Sequence, residues 1–196
     1  GGCRVKQWFW IVVPAVLLTA SCKKPEAPQQ KTLHEVMKDE VDKRADDVWA
    51  IGNAHIDANA GIDAASMSDD DWKKLAAAAV ALQQGALHIA ALKEPIVIVK
   101  PGESIADEGV PGGDTKESVK ANVDKDVQGL RDHANSLAQD MADLAKAANK
   151  HDAATAGPII NSLDGVCESC HLEFWYPSQK KLVDQIRAEG GDPSLK

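Results

Sequence analysis

The chain has 196 residues, of which 44% are hydrophobic and only 4% are aromatic, and its formal net charge is -8. This length suits one globular domain with additional segments at its ends. The acidic balance, without a stripe of Lys and Arg interleaved with aromatic residues, argues against a nucleic-acid partner. Alanine is abundant and tyrosine occurs once, so the composition favours helices over a β-sandwich or β-barrel.

Residues 1–21 have the pattern of a bacterial export signal. Arg4 and Lys6 precede an uncharged stretch, Gln7 to Ser21, which is too short to span a bilayer comfortably. The stretch ends in Leu-Thr-Ala-Ser directly before Cys22, which resembles the lipobox of bacterial lipoproteins. We therefore predict that 1–21 is a lipoprotein signal peptide and that Cys22 is acylated. The alternative is an ordinary signal peptide cut nearby, which would leave Cys22 as a free thiol.

Residues 22–31 are polar, contain two prolines and lack an apolar period. This composition predicts a flexible tether between the lipid and a domain that covers 32–196. Removal of 1–21 would take away two basic and no acidic residues and leave 20 basic against 30 acidic residues. We expect an acidic domain in the cell envelope, on the periplasmic side, held at the membrane by its lipid anchor.

Four segments carry apolar or small residues at steps of three and four, which is typical of helices that bury one face. The first begins at Thr32 and the second follows the N-cap Ser68. The third begins near Thr115 and extends over roughly 30 residues. The fourth begins at about Ala153, with Pro158 near its start. The sequence therefore predicts an all-α fold, an antiparallel four-helix bundle.

The connection between the second and third helices, 93–114, is rich in proline and glycine, which excludes helix there. It contains the apolar run Ile96-Val97-Ile98-Val99. We expect this segment to fold back over the bundle, because surfaces rarely leave such a run bare. A docking strip for a partner is the alternative.

Cys167, Cys170 and His171 form a Cys-x-x-Cys-His motif. This pattern is typical of covalent c-type haem: each thiol adds to one vinyl group and the histidine binds the iron. On a helix the three residues stand at i, i+3 and i+4, so they share one face. A thioredoxin-type redox pair would need a preceding strand, and half of a zinc site would need a second pair of ligands. The sequence shows neither context.

The helical pattern and this motif together resemble the class II c-type cytochromes, the family of cytochrome c prime and its low-spin relatives. The resemblance implies a four-helix bundle with one haem c near the C-terminal end of the last helix. It makes Cys167 and Cys170 the thioether attachments and His171 the proximal iron ligand. The run 36–49 also resembles the first helix of membrane-anchored members whose early methionine faces the haem. The chain departs from the family at Trp175, where Lys or Arg is usual, while Phe174 keeps the aromatic place before it.

Met37 is the predicted sixth ligand of the iron. In an up-down-up-down bundle the start of the first helix lies beside the end of the fourth, so Met37 and the haem motif share one end. A thioether opposite histidine is a known c-type arrangement. His34, one turn earlier, is the rival ligand, and an open sixth position is the third option. His55, His88, His133 and His151 have ordinary explanations as surface or partly buried residues.

Electron transfer between redox partner proteins is the predicted function, because the iron needs no catalytic residue and the sequence offers no catalytic motif. We therefore expect an electron carrier and not an enzyme. A haem protein that binds or senses a gas such as NO or CO is the alternative, and it requires an open or easily vacated sixth position. A third option is a subunit of a respiratory or photosynthetic complex in which the haem serves as a relay.

Overall fold

A computed structural model describes residues 29–58, 61–106, 108–110 and 113–190. This part of the chain is mostly helical and contains no β-strand, only an isolated bridge between Ile56 and Ile62. The predicted all-α class is thus confirmed. None of the described helices is long and apolar enough to cross a membrane. The predicted signal peptide, Cys22 and most of the tether lie outside the described residues.

The first helical segment runs continuously from Leu33 to Ala54 but changes its winding. It consists of α1 (Leu33–Val36), a π-helical turn (Met37–Asp42, the first π turn) and α2 (Lys43–Ala54). It begins where predicted, and Thr32 caps it: Glu35 N donates to the Thr32 hydroxyl at 3.1 Å, and Thr32 N donates to the Glu35 carboxylate at 2.9 Å. This capping box satisfies two backbone groups that a helix start would otherwise leave unpaired.

The π winding was not predicted, although the sequence carries a signal for it. The apolar positions at its start are spaced by three consecutive steps of four: Leu33, Met37, Val41 and Ala45. An α-helix has about 3.6 residues per turn, so three such steps run about 1.2 residues ahead of the helix face. A π turn accommodates about one extra residue, which keeps these positions on one side.

The second predicted helix is α3 (Asp69–Ala90), which begins at the predicted N-cap Ser68. Asp71 N donates to the Ser68 hydroxyl at 3.2 Å, and the Asp71 carboxylate accepts from Ser68 N at 3.0 Å. The apolar residues that recur at steps of three and four along this helix are all buried: Trp72, Leu75, Ala79, Leu82, Ala86 and Ile89.

The third predicted helix is two helices, so the prediction of a single long one was wrong. These are α4 (Lys116–Lys125) and α5 (Val127–Asn149), separated at Asp126, whose φ of -145° and ψ of 69° are not helical. The Asp126 carboxylate accepts a hydrogen bond from Gly129 N at 2.8 Å and so caps α5. Aspartate side chains can end a helix by bonding to the backbone in this way. The apolar pattern continues across Asp126, so it gave no indication of the break.

The last helical segment is α6 (Ala153–Cys170), continued by a second π-helical turn (His171–Trp175, the second π turn). Tyr176 ends it with φ -142° and ψ 61°, because the residue before a proline is disfavoured in the α region. A 3-10 turn (Pro177–Gln179) and a short helix that was not predicted, α7 (Lys180–Ala188), follow.

These helices share one core. Helix α3 packs along α5, α5 packs against α6, and α2 lies against both α3 and α6. The connection 93–114 folds back, as expected: Leu33 N donates to Val97 O at 2.8 Å and His34 N donates to Ile98 O at 2.9 Å. Ile96 and Ile98 are buried, so the apolar run covers the start of the first helical segment.

Candidate functional site

A cavity of about 410 Å³ lies between the start of the first helical segment and the end of α6. This volume falls within the range of about 300–1,000 Å³ typical of small-molecule and cofactor sites. The wall is mainly apolar, and several side chains that can carry chemistry interrupt it. The cavity is lined by Leu33, Met37, Val41, Asp42, Ala45, Asp46, Trp49, Ile89, Leu130, His133, Ala134, Leu137, Asp164, Val166, Cys167, Glu168, Cys170, His171, Phe174, Trp175 and Tyr176.

The wall formed by α6 and the second π turn carries all three residues of the Cys-x-x-Cys-His motif. Cys167 and Cys170 are in the last turn of α6, and His171 begins the second π turn. Both cysteines are half-buried free thiols. The spacing thus places the two thiols and the imidazole toward one cavity, as the sequence predicted.

The environment of the two thiols differs from that of a reactive redox pair. Burial raises the pKa of Cys167 to about 11 and, with the charge of Cys167 nearby, raises that of Cys170 to about 12. Thioredoxin-type cysteines instead have lowered pKa values and commonly sit at a helix N-terminus. Here the pair lies at a helix C-terminus, so the geometry disfavours the thioredoxin alternative.

The His171 ring makes a hydrogen bond with a side chain on its own segment. His171 Nδ1 lies 3.0 Å from the Tyr176 hydroxyl, and Tyr176 N donates to His171 O at 2.8 Å, which is the five-residue hydrogen bond of a π turn. Burial lowers the pKa of His171, which favours the neutral imidazole that a metal requires. Burial also raises the pKa of Tyr176 to about 12, so its hydroxyl stays protonated.

The opposite wall carries Met37, and His34 lies in an adjoining cavity that Met37 and His171 also line. Met37 lines both the main cavity and an adjoining cavity of about 780 Å³, while His34 lines only the adjoining one. The two cavities share five lining residues: Met37, Asp42, His171, Trp175 and Tyr176. Met37 therefore shares a cavity with His171 and both thiols, whereas His34 shares one with His171 but not with the thiols.

The first π turn, which carries Met37, is held by contacts with distant parts of the chain. His88 Nδ1 on α3 lies 2.8 Å from the Glu40 carboxylate, and Lys31 Nζ donates to the same carboxylate at 2.7 Å. Burial would raise the pKa of Glu40, but these two hydrogen bonds outweigh it and lower the pKa. At Gly85, α3 approaches so closely that a Cβ atom would stand 2.6 Å from Glu40 O.

Sequence reasoning did not assign five polar residues to the cavity wall, Asp42, Asp46, His133, Asp164 and Glu168, of which His133 and Asp42 make notable contacts. His133 on α5 is positioned by Glu173 (Nε2 to Oε2, 2.8 Å) and packs edge-on against Phe174. Burial raises the pKa of Asp42, and the nearby His171 partly counteracts this. Only the three-dimensional path of the helices brings these side chains to the cavity, and no motif marks them.

The remaining histidines stay outside this site. His55 lies beside Ser66 and Asp71, His88 binds Glu40, and His151 stacks on Trp72 at a centroid distance of 5.4 Å. Within the described ranges, no three or more His, Cys, Asp or Glu side chains converge on one point that could hold a metal ion.

The residues of the cavity fit a covalently bound haem. Two thiols and an imidazole on one helix end face a mainly apolar hollow, and the hydrogen bond at Nδ1 leaves His171 Nε2 for a metal. A thioether lines the opposite wall. A metal-bound histidine almost always has a partner of this kind at its other ring nitrogen.

Comparison with protein-family models, with curated proteins and with solved structures gave no match.

Proposed function

We propose that this protein is a monohaem c-type cytochrome of the class II type that carries electrons between redox partner proteins. The observation that carries the proposal is one mainly apolar cavity that both thiols of the motif, His171 and Met37 line together. Such a cavity offers two covalent attachments and two axial ligands to a single flat group.

The proposal includes an antiparallel four-helix bundle with the haem near the C-terminal end of the last helix. In that arrangement the beginning of the first helix must lie beside the end of the last one. Met37 near the start of the first segment and Cys167 to His171 at the end of α6 line the same cavity, which supports this order.

Each side chain has a distinct role in this proposal. Bound haem supplies one-electron chemistry at its iron. Cys167 and Cys170 would hold the haem by thioether bonds, and His171 Nε2 and the Met37 sulfur would be the ligands of its iron. The apolar wall excludes water, and histidine with methionine ligation favours a higher reduction potential.

We further propose that the domain is held at the periplasmic side of a membrane through an acylated Cys22. The lipobox-like residues before Cys22 and the polar tether after it support this placement. Its partners are then redox proteins at that surface, including the other subunits of a respiratory or photosynthetic complex if the protein is part of one.

Gas binding is the second candidate, and one observation favours it. The adjoining cavity of about 780 Å³ reaches Met37, so space exists next to the sixth position for a small ligand once the methionine moves away. Carbon monoxide binding to the reduced protein separates the two functions, because a firmly bound methionine resists displacement.

Mass spectrometry of the denatured protein tests the proposal. The protein is expressed with a haem-attachment system and purified from membranes, and its mass should include one haem and an acyl modification at Cys22. Replacement of both Cys167 and Cys170 by alanine should abolish covalent haem, and Ser169→Ala, between them on the exposed side of the helix, should retain it. A parent protein that loses all its haem in acidified acetone would refute the haem proposal. A parent without the acyl mass would refute only the anchor.

A further inference from the structure

We infer that the Tyr176 hydroxyl is the hydrogen-bond partner that fixes the tautomer and orientation of His171 and adjusts the strength of its bond to iron. Tyr176 is a positioning residue in this role, since it acts through His171. The inference rests on the proposed function, because it assigns a second residue to the same site.

The geometry of the second π turn brings the two groups together. A π turn bonds residue i to residue i+5, and the bond from Tyr176 N to His171 O at 2.8 Å joins this pair. The same turn sets the ring of Tyr176 against the ring of His171, with centroids 5.4 Å apart, and its hydroxyl 3.0 Å from Nδ1. An α-helical turn would instead pair His171 with Trp175, whose indole cannot accept a hydrogen bond at nitrogen.

The direction of the hydrogen bond follows from metal binding. When Nε2 binds iron, the ring proton must lie on Nδ1, so Nδ1 donates and the phenol oxygen accepts. A neutral phenol is a weaker acceptor than a carboxylate, so the imidazole gains some electron density but does not become an imidazolate. Pro177 holds the backbone of Tyr176 out of the helix and thereby fixes the position of the ring.

The hydrogen bond has two measurable consequences. A hydrogen-bonded Nδ1 proton makes the imidazole a stronger donor to iron, which stabilises the ferric state and stiffens the iron–histidine bond. Loss of the bond should therefore raise the midpoint potential by at most about 59 mV. For a one-electron couple, this lowers the ferric-to-ferrous ratio at a fixed solution potential by about tenfold.

Tyr176→Phe tests this in the haem-loaded full-length protein, because it removes the hydroxyl and keeps the ring. Ser178→Ala is the matched control: it removes a hydroxyl two residues away, and Ser178 does not line either cavity. We expect Tyr176→Phe to raise the midpoint potential. When it is combined with Met37→Ala, it should also lower the iron–histidine stretching frequency in the Raman spectrum of the reduced protein. Ser178→Ala should change neither. Haem-loaded Tyr176→Phe with an unchanged frequency and potential would overturn the inference.

A second measurement covers the case in which Tyr176→Phe fails to fold or to retain haem. The Nδ1 proton of His171 in the parent should then exchange slowly with solvent in proton NMR spectra, because the phenol holds it; fast exchange would overturn the inference. The two proposals fail differently. A parent without covalent haem rejects the proposed function, whereas attached haem with a free Nδ1 proton rejects only the role of Tyr176.

Discussion

The two walls of the cavity are built in different ways. On the wall of α6, the thiols, the imidazole and the phenol lie within ten consecutive residues, Cys167 to Tyr176. On the opposite wall, Met37 depends on contacts that join distant parts of the chain: Glu40 with His88, and Glu40 O with Gly85. The first wall is encoded locally, and the second exists only after α3 has packed against the first helical segment.

This difference predicts how each wall responds to change. Substitutions of Cys167, Cys170 or Tyr176, which are only partly buried, should alter the chemistry of the cavity more than the stability, because their grouping comes from the spacing of one helical segment. Substitutions that disturb the packing of α3 should lower stability and displace Met37 together, because the same contacts serve both purposes.

The largest effect is expected when the side chain of Met37 is removed. Met37→Ala should abolish the red iron–sulfur charge-transfer band of the oxidised protein and allow carbon monoxide to bind the reduced protein, because it deletes the proposed sixth ligand. Optical spectra of the haem-loaded protein measure both. His34→Ala is the matched control and should change neither, since His34 lines only the adjoining cavity. A low-spin spectrum of Met37→Ala identical to the parent would reduce Met37 to a packing role.

An intermediate effect is expected at the close approach of α3. In Gly85→Ala the new Cβ would stand 2.6 Å from the Glu40 carbonyl oxygen and 2.9 Å from its carbon, and backbone atoms cannot yield as a side-chain end can. Overpacking of this kind costs about 1–3 kcal/mol. Urea unfolding should show that loss, and the iron–sulfur band should weaken with it.

Gly165→Ala provides the control on the other wall. Gly165 lies in α6 two residues before Cys167, and a Cβ there meets nothing within 4 Å. Because alanine favours helix over glycine, this variant should gain about 0.5–1 kcal/mol and keep its spectrum. Equal stabilities of the two variants would mean that the approach at Gly85 does not constrain the first π turn.

The smallest effect concerns the N-terminus of the first helical segment in acid. Hydrogen bonds from Lys100 and from Thr32 lower the pKa of Glu35 to about 2. Since this folded-state pKa lies below the value of 4.5 for a free side chain, Glu35 stabilises the fold above about pH 4.5. That contribution is lost as the pH falls toward about 2.

Thermal unfolding between pH 6 and about pH 2 measures this contribution. Glu35→Gln should flatten the acid side of the stability profile, and Lys100→Gln should move the loss toward higher pH because the largest cause of the lowered pKa is gone. A Glu35→Gln profile with the slope of the parent would show that the Glu35–Lys100 ion pair, which joins α1 to the connection 93–114, contributes nothing to the pH dependence of stability in acid.

Features that depend on nearest neighbours in the chain were predictable. The N-caps Thr32 and Ser68, the inner face of α3 and the start of α6 follow from capping chemistry and helical period, which act within a few residues. The grouping of Cys167, Cys170 and His171 on one face also follows from helical spacing alone. For the same reason, the break at Asp126 could have been predicted, because an aspartate three residues before Gly129 can cap the following helix.

The sequence by itself determined the all-α class and the grouping of two thiols and an imidazole on one helix face. Only the tertiary structure decided which side chains face that group. The path of α3 brings Gly85 against Glu40, which lies 45 positions earlier in the sequence. The path of α5 brings His133 to the cavity wall, although it lies 34 positions before Cys167. The winding of the two π turns selects Met37 for the main cavity and Tyr176 as the neighbour of His171. The π turns are short-range features, whereas the positions of Gly85 and His133 depend on packing between distant segments, which a local pattern of residues cannot encode.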